Sequence, residues 1–333
     1  LLRQKGAQDK EFIDKGFIQL QVGRDTYRTD IANEAGSIRV SCDQVTPLQH
    51  GRWLVLGFPP LRGISTQDPT SMTQGGSPTP TVHDLLPLLA GPTDIRLNDL
   101  KQWLVNLNGH SSFSENVTHD EAARNKRLLN KFFEVLGQFT TGVSIAFDGV
   151  IGGKVMVKTE DGIVSIDQLS QGVGSIIGWV GTLLQRMYEI HSDSVEPEKG
   201  AAIVLIDEID AHLHPKWQQI LVDVVKDVFP ATQFIVTTHS PLIVAGLTRE
   251  EVMIFRRDPC DDQRRISVER PPGDLKGWRV DQILTGEAFG LGGARDLKTV
   301  ANLDRYADLM GQYPRSEEEE QELRMLAVKL GTD

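Results

Sequence analysis

Four things are scarce or missing in this 333-residue chain, and each narrows what the protein can be. Cysteine occurs only as Cys42 and Cys260, far apart and without a repeated metal-type spacing. That excludes a disulfide framework and a thiolate zinc site and fits a reducing cytoplasm. No apolar run approaches the roughly 20 residues that cross a bilayer, which excludes a membrane-embedded chain. Net positive charge is lacking too: 46 acidic residues outnumber 35 basic ones, for a formal charge of −11. Bulk electrostatics therefore cannot wrap nucleic acid, and any DNA contact is expected to be a local patch. Finally, the chain opens "LLRQKGAQDK", with no initiator Met and none of the regions of a signal peptide. The expectation is a processed, trimmed or incomplete N-terminus.

What is present is ordinary for a globular protein: 39% hydrophobic and 24% charged residues, enough for one principal domain with additions. Short strand patterns such as "GFIQLQV" and "RWLVLGF" make residues 1–64 a β-rich lobe. Residues 65–137 combine an exposed loop, "STQDPTSMTQGGSPTP", with a helical insertion in which Leu128, Leu129, Phe132, Phe133 and Leu136 recur at helical spacing. Residues 138–270 are expected to form the core and 271–333 a helical tail, whose "SEEEEQELRML" is expected to be a solvated helix face.

The core opens with a strand meander punctuated by "DG" pairs in "VSIAFDG" and "KVMVKTEDG". A helix over 172–190 follows, carrying Ile176, Ile177, Val180, Leu183, Leu184 and Met187. "AAIVLI" reads as a strand covered on both faces. A helix with Pro215 in its first turn and a second buried strand, "TQFIVTT", come next. Strand, helix and strand in succession imply a right-handed crossover and a parallel sheet, whose chemistry sits at the carboxyl ends of its strands. Asp207, Glu208 and His239 fall there.

"LIDEIDAHLHP" places two adjacent carboxylates behind the buried strand. One can hold magnesium through oxygen while the next faces an attacking water. An acid capping the following turn would explain one carboxylate and not the other. "QLSQGVGS" puts small and polar residues at a helix start, where free N–H groups favour an anion, although Ser170 could be a plain N-cap. His212 and His214, near several acids, could alternatively ligate zinc or manganese.

In their order and spacing, "AAIVLIDEID", "LSQG" and "TTHSP" resemble the core of ABC-type ATPases, and "HLHP" resembles the RecF, SMC and OLD-like branch. The resemblance spans residues 140–260. It implies an α/β fold: an ABC-ATPase-like core with a parallel sheet, a β-rich N-terminal lobe, a helical insertion and a helical C-terminal tail. It further implies ATP and magnesium as ligands, with Asp207 holding the metal through water and Glu208 polarising the attacking water. Ser170, Gln171 and Gly172 would touch the nucleotide of the opposite subunit, and His239 would be the switch histidine. Ala211, His212, Leu213 and His214 would form the D-loop. The expected assembly is a homodimer, or a higher oligomer.

That family also needs the G-x-x-x-x-G-K-[ST] phosphate loop. "GVIGGKVM" has the wrong spacing, "FGLGGARD" lacks the lysine, and both read as turns. The loop is expected ahead of Leu1 or on another polypeptide. The tail "WRVDQILTGEAFGLGGARD" is similar to those of stand-alone ATPases of Septu-type and retron-associated anti-phage systems, which implies a separate HNH nuclease as partner. The expected function is an ATPase whose nucleotide-driven dimerisation gates DNA processing or that nuclease, in anti-phage defence or DNA repair. A non-hydrolysing scaffold and a transporter ATPase subunit are the alternatives. Arg256, Arg257, Arg264 and Arg265 could form a phosphate-binding patch, but salt-bridged arginines flanking a turn are the expectation.

Overall fold

The computed structural model describes residues 15–22, 25–34, 37–42, 54–62, 84–90, 94, 96–112, 119–257, 266–291 and 295–331. The chain divides into two compact units, the first made of residues 1–217 and 224–238, the second of 218–223 and 239–333.

The first unit starts with an antiparallel sheet of β1 (Lys15–Val22), β2 (Asp25–Glu34) and β3 (Ser37–Cys42), in that order. Its register sets Phe17 opposite Asp30 and Ile31 opposite Val40. β4 (Leu54–Phe58) does not join it. Read from sequence with the lobe, β4 instead runs parallel to the strand of the acid pair, with Leu54, Leu56 and Phe58 fully buried. Burial on this scale contributes about 1.5–3 kcal/mol per side chain, which favours the core sheet over a two-sided lobe.

Three helices follow: α1 (Leu86–Ala90), α2 (Leu97–Ser112) and α3 (His119–Phe139). α3 buries Leu129, Phe132, Phe133 and Leu136 of the stripe its spacing predicts, together with Val135 and Phe139, while Leu128 is half-buried. The exposed loop expected at 65–80 lies outside the described residues.

The meander is β5 (Ala146–Ile151), β6 (Lys154–Thr159) and β7 (Gly162–Ser165). "GVIGGKVM" is its first hairpin, turning at Gly152 and Gly153 with φ of 57° and 77°. Asp148 and Gly149 do not turn the chain, because they sit at a register shift within β5. The predicted helix over 172–190 is α4 (Gln171–Ile176), a π-helical segment at Ile177–Gly181, and α5 (Thr182–Ile190). Trp179 lies fully buried in the wide turn and stacks edge-on against Phe139 at 5.5 Å.

β8 (Ala202–Ile206), α6 (Pro215–Val228) and β9 (Thr232–Val236) complete the core. The sheet order is β4-β8-β9, all parallel. β8 is central: Ala202, Val204 and Ile206 are buried, and Ile203 and Leu205 half-buried. β9, expected to be buried, exposes Gln233 and leaves Ile235 53% exposed. Among the described residues it pairs on one side only, and its exposed residues alternate, so they lie on one face of the strand.

The second unit contains α7 (Pro241–Val244), a hairpin of β10 (Ile254–Arg257) and β11 (Ile266–Glu269), and α8 (Val280–Thr285), around Val244, Val252, Leu275 and Ile283. Arg256 pairs with Glu269, while Arg264 and Arg265 lie outside the described residues. α9 (Leu297–Gly311) and α10 (Glu317–Leu330) pack through Leu309, Leu323 and Leu326, with Glu317 to Glu320 in the first turn of α10. Acidic side chains there meet the positive end of the helix dipole. No helix among the described residues is long and apolar enough to cross a membrane.

Candidate active site

β8 ends at Ile206, and the ladder continues for one bond: the Asp207 N–H donates to Phe58 O at 2.9 Å. Ile209 N–H returns to Thr237 O at 3.0 Å. Between these anchors Glu208 takes φ of 48°, in the left-handed region. For an L-residue that conformation costs about 1–2 kcal/mol and needs support from its neighbours.

Support comes from two sides. On one, the Glu208 N–H donates to Thr237 Oγ1 at 2.7 Å, and that hydroxyl donates to Asp207 Oδ1 at 2.5 Å. On the other, Arg62 is 1% exposed and spends its guanidinium on main-chain carbonyls. Nη1 donates to Asp207 O at 2.6 Å and Pro59 O at 2.8 Å, and Nη2 to Glu208 O at 2.8 Å. Burial pulls this guanidinium down to about 10, against the opposing pull of Asp207, Asp210, Asp94 and Glu208, and it remains a cation at neutral pH. The Glu208 side chain itself is exposed.

The next turn starts at once. Ala211 N–H donates to Glu208 O at 2.9 Å and Leu213 N–H to Asp210 O at 3.0 Å, while Thr238 Oγ1 donates to Asp210 Oδ1 at 2.5 Å. His212 has φ of 64°, Leu213 is buried, and His214 caps α6 by accepting Lys216 N–H on Nδ1 at 3.2 Å. Trp217 anchors that helix start by donating Nε1–H to Thr141 O at 3.0 Å. Among the described residues, no three His, Cys, Asp or Glu side chains are grouped to hold a metal.

Ser170 caps α4, accepting Val173 N–H on Oγ at 3.4 Å, and both Ser170 and Gln171 are exposed. Gly172 lies against the turn after the acids: a Cβ there would stand 2.7 Å from His212 O. Only glycine permits so close a backbone approach. The structure therefore brings Asp207 and Glu208 together with Thr237 and Arg62, and Gly172 together with His212. His239 directly follows Thr238 and belongs to the second unit, where Ser240 caps α7 and donates to Gln218 Oε1 at 2.6 Å.

Chemically, the acid pair offers oxygen donors of the kind a hard divalent cation takes. Thr237 engages one oxygen of Asp207, and a carboxylate has two. Thr237 and Arg62 escaped the sequence reading. "TT" was legible as a strand end, whereas nothing in "PPLRG" marks an arginine that meets residues 145 positions away.

Comparison with known proteins agrees with this core. Residues 96–245 match the family described as "AAA domain, putative AbiEii toxin, Type IV TA system". The chain is 45% identical over 92 residues to Retron Vc95 probable ATPase of Vibrio cholerae serotype O1 biovar El Tor, covering 28% of this chain and 18% of that protein. It is 39% identical over 166 residues to Septu protein PtuA of Bacillus mycoides (strain KBAB4), covering 50% of this chain and 22% of that protein. With Septu protein PtuA of Bacillus thuringiensis it shares 26% identity over 233 residues, 68% of this chain and 55% of the relative. The matched stretches thus span about a fifth to about half of these relatives. These similarities agree with the expected resemblance to ATPases of this type: residues 96–245 match an AAA-domain family, and the chain is similar to retron probable ATPases and to Septu protein PtuA.

Proposed function

We propose that the protein binds and hydrolyses ATP, and that nucleotide-driven dimerisation gates a partner nuclease or DNA processing in anti-phage defence. The observation that carries this is the fixed turn at the carboxyl end of β8, where Glu208 stands exposed on a backbone held by Thr237 and Arg62. A catalytic base must keep a defined position relative to its water, and a braced backbone supplies it.

In this reading Asp207 holds magnesium through water, and the ion, when bound, offsets charge on the phosphate oxygens. Glu208 orients and polarises the attacking water, and His239 contacts the γ-phosphate. Ser170, Gln171 and Gly172 meet the nucleotide of the opposite subunit. Ala211, His212, Leu213 and His214 carry the subunit contact, and the close approach of Gly172 to His212 supports a link between signature and D-loop. The phosphate loop comes from a further segment or chain, and the open side of β9 is where its strand would extend the sheet. The partners are a second copy of this protein and an HNH-type nuclease.

The test is ATP turnover and nucleotide binding by the native full-length protein and its Glu208→Gln variant. Binding retained in both, with turnover lost only in the variant, is the expected result. Turnover at the normal rate in Glu208→Gln removes Glu208 from the mechanism. Binding without turnover in the native protein favours a scaffold.

A further inference from the structure

We propose that Arg62 is a positioning residue for the acid pair, holding the Asp207 and Glu208 carbonyls so that the Glu208 carboxylate keeps its aim. The inference rests on the ATPase reading above.

Burying a cation is costly and is usually offset by a paired carboxylate. Arg62 lacks that compensation in direct form. The nearby Asp94 is taken by Arg96, whose Nη2 stands 2.6 Å from Oδ2, and Arg62 is met by three carbonyls instead. Its Nε has no hydrogen-bond partner, which adds to the cost. A packing role would be served more cheaply by an apolar side chain of similar volume.

What the guanidinium supplies is a fixed fork. Two of its three acceptors are the consecutive carbonyls of Asp207 and Glu208, on either side of the strained φ of 48°. Thr237 holds the Glu208 N–H from the opposite side. The arginine is itself anchored: a Cβ on Gly178, in the π segment behind the signature, would lie 2.9 Å from Arg62 O. One residue thus touches both the signature helix and the acid turn. A lysine carries its charge at one point and cannot reproduce the fork.

The experiment compares full-length wild type, Glu208→Gln, Arg62→Met and Arg62→Lys by single-turnover ATP hydrolysis and, separately, by equilibrium binding of a fluorescent non-hydrolysable ATP analogue. Turnover in Arg62→Met is expected to fall about 10–100-fold with analogue affinity retained, and Arg62→Lys to recover part of it. Loss of turnover in Glu208→Gln with wild-type turnover in Arg62→Met overturns the positioning role and leaves the ATPase reading intact. A parallel loss of affinity and turnover overturns it in favour of a structural role. If Arg62→Met does not fold, a folded Arg62→Lys decides: lowered turnover at unchanged affinity supports the role, and wild-type turnover overturns it. Equal turnover in wild type and Glu208→Gln overturns the catalytic assignment of Glu208, and this inference with it.

Discussion

The Thr237 hydroxyl donates to Asp207 Oδ1 at 2.5 Å, tying the end of β9 to the first residue beyond β8. Thr237 Oγ1 also accepts the Glu208 N–H, so one side chain orients one carboxylate and the backbone of the other. Thr237→Val removes both bonds while keeping the shape. Turnover in the full-length protein should fall about 10-fold or more, with about 1 kcal/mol lost in stability. Thr237→Ser, which retains the hydroxyl, should stay near wild type. Equal turnover in the Val and Ser variants would sink the idea.

Gly172 faces a backbone carbonyl, which cannot rotate away as a side chain can. Gly172→Ala would put Cβ 2.7 Å from His212 O and force the helix start from the turn, at a cost of about 1–3 kcal/mol. Thermal melting should show that loss, and ATP-dependent dimerisation, followed by light scattering, should weaken. An unchanged melting temperature would mean the two segments are not held together in solution.

Arg186 Nε lies 2.8 Å from Asp84 Oδ1, with side chains 8% and 6% exposed. Removing Asp84 takes one carboxylate from the buried Arg186, which retains Glu189, and so leaves its charge less compensated. Asp84→Ala should therefore cost about 3 kcal/mol in urea denaturation. Adding Arg186→Met should return part of that loss. A double variant no more stable than Asp84→Ala would argue against the less compensated charge as the cause.

The α9–α10 pair should loosen in acid. The hydrogen bond from the Arg305 guanidinium holds Glu322 below its ordinary range, and the Ser316 N–H does the same for Glu319. The Thr299 hydroxyl and N–H lower Asp296 at the start of α9. Carboxylates lowered in the folded state stabilise it above their unfolded values near about 4, and that contribution disappears as pH falls through the lowered values. Hydrogen exchange of the full chain, corrected for intrinsic rates, should show protection in α9 and α10 falling between pH 6 and pH 3. Glu322→Gln should flatten the change. Protection that stays constant across that range would contradict the sign.

The sequence by itself determined most of the local elements. A continuous apolar run followed by two acids marks a central strand of a parallel sheet, and β8, with Asp207 and Glu208 just beyond its end, is found in that position. Helical spacing sufficed for α3, and Pro215 in the first turn for the start of α6. These signals lie in contiguous residues and depend on side-chain period and backbone preference alone. Only the tertiary structure decided that β4 leaves the lobe for the core sheet and that β9 is half exposed. It alone decided that Arg62 and Thr237 brace Glu208 and that Gly172 meets His212. Such contacts join segments tens to more than a hundred residues apart. Their geometry follows from how strands add to a sheet and how closely a helix can approach a turn, and no local period in the chain encodes it.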